Sequence, residues 1–265
     1  MHTLRSDMNF AYAARQNLRV IGALAVRELA TRYGQNPLNY FWGLAEPAAL
    51  IGIYLVVHTL AKAHGTGGDS IILFMITGIM TFRMTRGISG KVLKAISSNQ
   101  PLLTYPNVKP LDTIIARATI ESLIWLIVCL IFFTAISVYL DKRVIVHKDE
   151  FALALLAVLF FSFSLGAFNA VISILVPFYS NIWNMMGLPL LLASGILYVA
   201  AEMPPQILNI LVWNPFLHCV EWVRIASYLD YHTVLDREYL LTVSSILLTV
   251  ALVLERMYRT RLMSE

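Results

Sequence analysis

Arg83, Arg86, Gly87, Gly90, Lys94 and Ser97 recur at steps of three and four, which places them on one face of a helix. Two guanidinium groups beside two glycines offer electrostatic rather than bond-making chemistry: they hold an anion, and the glycines let it approach the backbone. The competing role is a snorkelling pair that reaches back to headgroups. Just downstream, Asn99, Gln100, Pro101, Leu102, Leu103, Tyr105 and Pro106 form a short knob carrying two prolines. Each proline lacks an N–H and turns the residue before it away from helical backbone. The loop is therefore stiff, and its apolar tip suits a cleft on another protein. Glu46 stands just inside an apolar run, where a carboxylate either stabilises the helix start or makes a polar contact at membrane depth. Trp213, Trp222 and Tyr228 offer flat faces to sugar rings or lipid, and serve equally as interface anchors.

Bond-making motifs are missing from the sequence. Lys91 follows Gly90, but a P-loop needs glycine in place of Thr85 and Ser or Thr in place of Val92. None of the six histidines belongs to an H-E-x-x-H pair, and Gly87-Ile88-Ser89-Gly90 is not a nucleophile elbow. Cys129 and Cys219 have neither metal-ligand spacing nor the makings of a disulfide framework. No catalytic residue, metal site or cofactor of its own is expected.

The elements that position these residues follow from composition. The chain is 58% hydrophobic and 14% charged, against roughly 25% charged residues in a soluble domain. This predicts an all-α integral membrane protein with six spans. Residues 1–42 read as a cytoplasmic tail and interfacial amphipathic helix, with Phe10, Ala14, Leu18, Ile21, Ala25 and Leu29 at helical steps and Arg15, Arg19 and Arg27 elsewhere. Glu28 interrupts that stripe. The transmembrane domain, 43–265, has spans at about 43–61, 70–97, 113–140, 151–176, 182–201 and 239–257, with a cytoplasmic elbow at 98–110. Arg117 and Glu121, four apart in the third span, are placed to pair. Gly166 and Ala170 mark a close helix contact in the fourth, with Asn169 as a source of interhelical hydrogen bonds. Residues 204–228 hold two short apolar helices, the second opened by Asn214-Pro215, and both are too short to cross about 30 Å of hydrocarbon. They read as a re-entrant pair dipping in from the periplasmic side.

Orientation comes from the basic residues. With the N-terminus inside, the inner segments hold Arg5, Arg15, Arg19, Arg27 and Arg32, the six of the elbow region and the three at the C-terminus, most of the chain's 20 Lys and Arg. The outer side keeps Lys62, Lys142, Arg143, Lys148, Arg224 and Arg237. That bias puts both termini in the cytoplasm. The net charge of +4 is read as this orientation signal, not as affinity for nucleic acid.

The layout resembles the membrane subunit of type-2 ABC exporters, and within them the KpsM-type capsular polysaccharide export permeases. The resemblance rests on Trp42-x-x-x-Glu46-Pro47, Asn99 and Pro106 in the elbow, the block from Lys109 to Ala118 (KPLDTIIARA), and Asn214-Pro215-Phe216. It covers essentially the whole chain, and the elbow block is its most specific part. It implies a homodimer in the bacterial inner membrane, each copy docked on an ATPase subunit that binds ATP and Mg. It also implies periplasmic and outer-membrane export components, surrounding membrane lipids, and a lipid-linked anionic polysaccharide as cargo. The substrate path would use Glu46, Arg83, Arg86, Gly87, Gly90, Trp213, Trp222 and Tyr228; the ATPase would grip Asn99 to Leu103, Tyr105 and Pro106. The short outer loops leave little room for a substrate-binding domain and argue against a binding-protein-fed importer. Two alternatives stand beside this reading. One is an exporter of another polymer, such as O-antigen, or of a small drug. The other is an intramembrane enzyme on lipid-linked sugars, for which Glu46 and His58 are the best, and a poor, acid–base pair.

Overall fold

A run of hydroxyl residues organises the centre of the molecule. In the computed structural model, which describes residues 2–33, 45, 48–49, 52–53, 71–105, 108–141 and 144–264, the helix α2 (Ile71–Val92) is buried along most of its length. Thr77, Thr81, Thr85 and Ser89 lie one turn apart on it, and each hydroxyl donates to the carbonyl four residues back, at 2.9, 2.6, 3.0 and 2.7 Å. Every donor on that face is satisfied inside the helix, so α2 can be surrounded by protein.

The described chain is all-helical: α1 (His2–Tyr33), α2, α3 (Pro110–Leu140), α4 (Lys148–Leu175), α5 (Tyr179–Met185), α6 (Gly187–Leu192), α7 (Pro205–Leu211), α8 (Pro215–Ser227), α9 (Arg237–Met257) and α10 (Arg259–Ser264), with 3-10 turns at Ser97–Leu102 and Ala200–Glu202. Among the described residues, α2, α3, α4 and α9 are long and apolar enough to cross a membrane. α2 packs against α3, α4 and α8, α4 packs against α8 and α9, and α1 lies along α3. Gly166 of α4 permits a close approach to α2: a Cβ there would sit 2.8 Å from Val92 Cβ and 3.2 Å from Ser89 Cα. Ala170, one turn on, is fully buried. Asn169 accepts a hydrogen bond from Tyr179 Oη at 2.6 Å, joining α4 to α5.

Local sequence sets the helix ends. Pro110 opens α3, the Lys109 N–H donates to Asp112 Oδ2 at 2.9 Å, and Asp141 closes it in the left-handed conformation at φ 48°. Asn214 and Asp236 cap α8 and α9, accepting from the Phe216 and Tyr239 N–H groups at 3.1 and 2.9 Å.

The structure departs from the sequence reading in several places. The helix expected over 70–97 ends at Val92, so Lys94 and Ser97 leave the face of Arg83 and Arg86. The stretch expected as one span over 182–201 is two short helices that meet at Met186, followed by turns. Pro189 has no N–H for the Met185 carbonyl, and Gly195 turns the chain at φ +68°. In α1 the face turned to the protein carries Ile21, Leu24, Ala25 and Glu28, while Leu18 and Leu29 are exposed. Glu28 thus belongs to the packed face rather than interrupting it, and it pairs with Arg117 across to α3. Most of the first span, with Glu46, together with the loop 63–69 and Pro106, lies outside the described residues.

Candidate functional site

Arg86 projects from α2 onto the C-terminal end of α5. Its guanidinium lies 4.5 Å from the Trp183 ring centroid, and NH2 donates to the Trp183 carbonyl at 2.5 Å and to the Asn184 carbonyl at 3.4 Å. Helix C-terminal carbonyls carry partial negative charge, so this end of α5 is a cation cradle. Arg83 lies one turn earlier and is half-buried. A Cβ on Gly87 would lie 2.6 Å from the Trp125 ring of α3, so this glycine makes room for an indole. One on Gly90 would lie 3.4 Å from Trp183 Nε1, an ordinary contact.

A second polar cluster surrounds α8. Arg224 is fully buried, its guanidinium 3.6 Å from the Phe74 ring centroid of α2. It donates to the carbonyls of Gly195 at 2.7 Å and Ile196 at 3.3 Å, and stands 3.6 Å from Glu221 Oε1. Glu221 in turn accepts from Tyr231 Oη at 2.9 Å, from Thr233 Oγ1 at 2.8 Å and from the Val234 N–H at 3.4 Å. Burial pushes the Tyr231 phenol well above its usual range, so it remains a donor to the carboxylate. His218, one turn before Glu221, is bonded through Nε2 to the Val212 carbonyl at 2.8 Å and accepts at Nδ1 from the Asp236 N–H at 3.1 Å. That second bond fixes the neutral tautomer with the proton on Nε2. Together these side chains tie the loops 193–199 and 228–236 to α8. The spacing of His218, Glu221 and Arg224 at steps of three was the available signal, but no ligand or partner in the sequence distinguished it from an ordinary polar face.

The three aromatic candidates do not share a surface. Trp222 is buried and donates from Nε1 to Glu150 Oε2 at 3.1 Å. Trp213 is exposed, edge-on to Tyr239 at 6.1 Å. Tyr228 stacks on Tyr231 at 5.8 Å.

At the other end of the molecule the elbow leaves α2 as a series of turns. Asn99 is buried and donates from Nδ2 to the Ala95 carbonyl at 2.9 Å. Leu103 is fully buried in the core, because the 3-10 turn rotates it inward; it does not belong to the exposed tip, as had been expected. Pro101 and Tyr105 are exposed, with Leu102 half-buried between them. Both polar atoms of the Gln100 amide are shut off from solvent and meet no hydrogen-bond partner among the described residues. The elbow is clamped where it enters α3. Arg117 donates to Glu28 Oε1 of α1, from Nε at 2.8 Å and also from NH2, and reaches the Lys91 carbonyl at 3.4 Å. Arg259 meets Glu255 in a two-pronged pair at 3.0 Å, close to Asp112.

No group of three or more potential metal ligands occurs among the described residues. What is present is a rigid apolar bundle with buried cations at turns and a stiff, partly exposed elbow. Residues 19–228 match the ABC-2 type transporter family. The chain belongs to that family. Relatives align over 78–93% of their own length. The chain is 31% identical to the polysialic acid transport protein KpsM of Escherichia coli over 242 residues, covering 91% of this chain and 93% of the relative. It is 29% identical to the capsule polysaccharide export inner-membrane protein CtrC of Neisseria meningitidis serogroup A over 239 residues, 88% of this chain and 89% of the relative. It is 31% identical to the capsule polysaccharide export inner-membrane protein BexB of Haemophilus influenzae over 207 residues, 78% of each chain.

Proposed function

We propose that this chain is the membrane subunit of an ABC exporter that moves a lipid-linked capsular polysaccharide across the bacterial inner membrane. The observation that carries the proposal is the similarity, over 78–93% of their length, to three capsule-export and polysialic acid transport proteins. With no nucleotide motif in the chain, hydrolysis of ATP belongs to a separate subunit. The exposed tip of Pro101 and Tyr105, stiffened by proline and clamped at its exit by Arg117 and Glu28, suits a surface that must be pushed without yielding.

The finer assignments belong to the same proposal. Two copies of the chain and two ATPase subunits form the transporter, with periplasmic and outer-membrane components beyond it. Six spans leave both termini in the cytoplasm, and α7 and α8 re-enter from the outer side. Arg83 and Arg86, costly at membrane depth by about 2.5–3.5 kcal/mol each, face the anionic cargo, with Glu46, Trp213, Trp222 and Tyr228 further along the path. The test is export in cells lacking the native chain. The wild-type chain restores surface polysaccharide, and the Arg83→Gln/Arg86→Gln variant assembles and supports ATP hydrolysis but exports less. Full export by the double variant removes the two arginines from the path. Failure of the wild-type chain to restore any surface polymer, with its cognate ATPase present, overturns the assignment of cargo.

A further inference from the structure

Between the second half of α3 and the start of α4 lies a groove of about 680 Å³ that the transport reading does not use. Leu123, Leu130 and Phe133 form one wall, Val144, Phe151 and Leu155 the other. Phe133 and Phe151 meet edge to face at 5.0 Å and join the two helices at its floor. From Leu123 to Ser137 the groove follows α3 for about 21 Å, at 1.5 Å per residue. That exceeds the ~15 Å of one leaflet of hydrocarbon.

The walls select against a sugar. Thr134, one of the few polar residues there, spends its hydroxyl on the Leu130 carbonyl of its own helix at 2.7 Å. A saccharide in this groove would lose its hydrogen bonds to water and gain few in return. The turn end of the groove is different. Lys148 lines it, is exposed, and forms no ion pair among the described residues. Lys148 is also the first residue of α4, where the helix dipole disfavours a cation. Helix stability therefore does not account for it, whereas a negative headgroup at the membrane surface does.

We propose that this groove binds one acyl chain of an anionic phospholipid, with the headgroup phosphate at the Lys148 ammonium. The site is a resident lipid site, independent of the identity of the exported cargo. Relative to bulk lipid, the selective part is the headgroup, and one lysine near an anionic surface corresponds to about fivefold enrichment.

The test uses the full chain reconstituted in vesicles of equal phosphatidylglycerol and phosphatidylcholine, with no polysaccharide present. Leu130 is 65% exposed, so replacing it with photoreactive benzoylphenylalanine leaves the core intact. Irradiation should give a phospholipid adduct by mass, enriched about fivefold in phosphatidylglycerol over the vesicle ratio. Lys148→Gln should return the adduct to the vesicle ratio while leaving its yield unchanged. An adduct to a second copy of the chain, or to the segment 43–61, shows that protein fills the groove and overturns the proposal, as does the lack of any adduct in correctly assembled protein. An unchanged phosphatidylglycerol share in Lys148→Gln overturns the headgroup assignment.

Discussion

Glu28→Gln isolates the clamp between α1 and α3. The pair is buried: the Arg117 and Glu28 side chains are 6% and 9% exposed. Screening by water is therefore slight, and removing one charge leaves a guanidinium buried beside a neutral amide. Breaking a buried pair from one side costs about 3–5 kcal/mol. The Gln carbonyl still accepts one hydrogen bond from Arg117, which places the expected loss near the lower end, about 3 kcal/mol. The Lys91 carbonyl, 3.4 Å from Arg117 NH1, is too long a contact to compensate. Replacing both partners, Glu28→Leu with Arg117→Met, removes the desolvation penalty as well, and should return stability to within about 1 kcal/mol of wild type or above it. Reversible unfolding in mixed micelles, followed by tryptophan fluorescence, measures all three variants. In the assembled transporter the apolar double variant should fold yet show a lower ratio of polymer exported to ATP hydrolysed, because α1 is no longer keyed to the elbow. A loss below about 0.5 kcal/mol in Glu28→Gln, the range of ordinary surface changes, would refute the claim that this pair fixes α1.

Three further outcomes follow from contacts elsewhere. Gly87→Ala drives a methyl group into the Trp125 ring, at a cost of about 1–3 kcal/mol, and Trp125→Leu in the same chain should recover most of it in the same unfolding assay. Tyr105→Asp should abolish co-purification of the ATPase with the membrane subunit still monodisperse, whereas Leu103→Asp should lose the fold itself, since Leu103 is fully buried; loss of fold in Tyr105→Asp would place that ring in the core. Arg224→Met leaves Glu221 buried without its cation and costs about 3–5 kcal/mol, and Arg224→Met/Glu221→Gln should cost less than the single change; an equal or larger cost for the double variant would mean the two charges do not act as a pair.

How much of this was legible depended on how far apart the determinants lie. The ends of α3 and α8 could be read because Pro110 and Asp112, or Asn214 and Pro215, act within one turn of the backbone they terminate. The helices long and apolar enough to cross a membrane, α2, α3, α4 and α9, could be read from apolar length. The break at Met186 was missed because hydropathy ignores the missing N–H of Pro189. The link from Arg117 to Glu28 was missed because the two lie 89 residues apart in sequence, beyond the reach of any local spacing rule. Gly87 marks a place of close approach, but a sequence does not say that the visitor is the Trp125 indole. Leu103 was read as part of an apolar tip because it lies between two prolines in a short loop; its burial depends on core residues distant in sequence.

The hydroxyl ladder of α2 has a mechanical corollary. Because Thr77, Thr81, Thr85 and Ser89 spend their protons within α2, this face of the helix is held to its neighbours by shape rather than by donated hydrogen bonds. A small axial slide or roll of α2 carries the ladder along intact, so the displacement meets steric friction but breaks none of these bonds. The directional restraints sit instead near the two ends, where Arg224 covers Phe74 and Arg86 grips the end of α5. Axial displacement of α2 is therefore opposed by interlocked side chains along its length and by directed contacts near its ends, while the ladder itself moves as one piece.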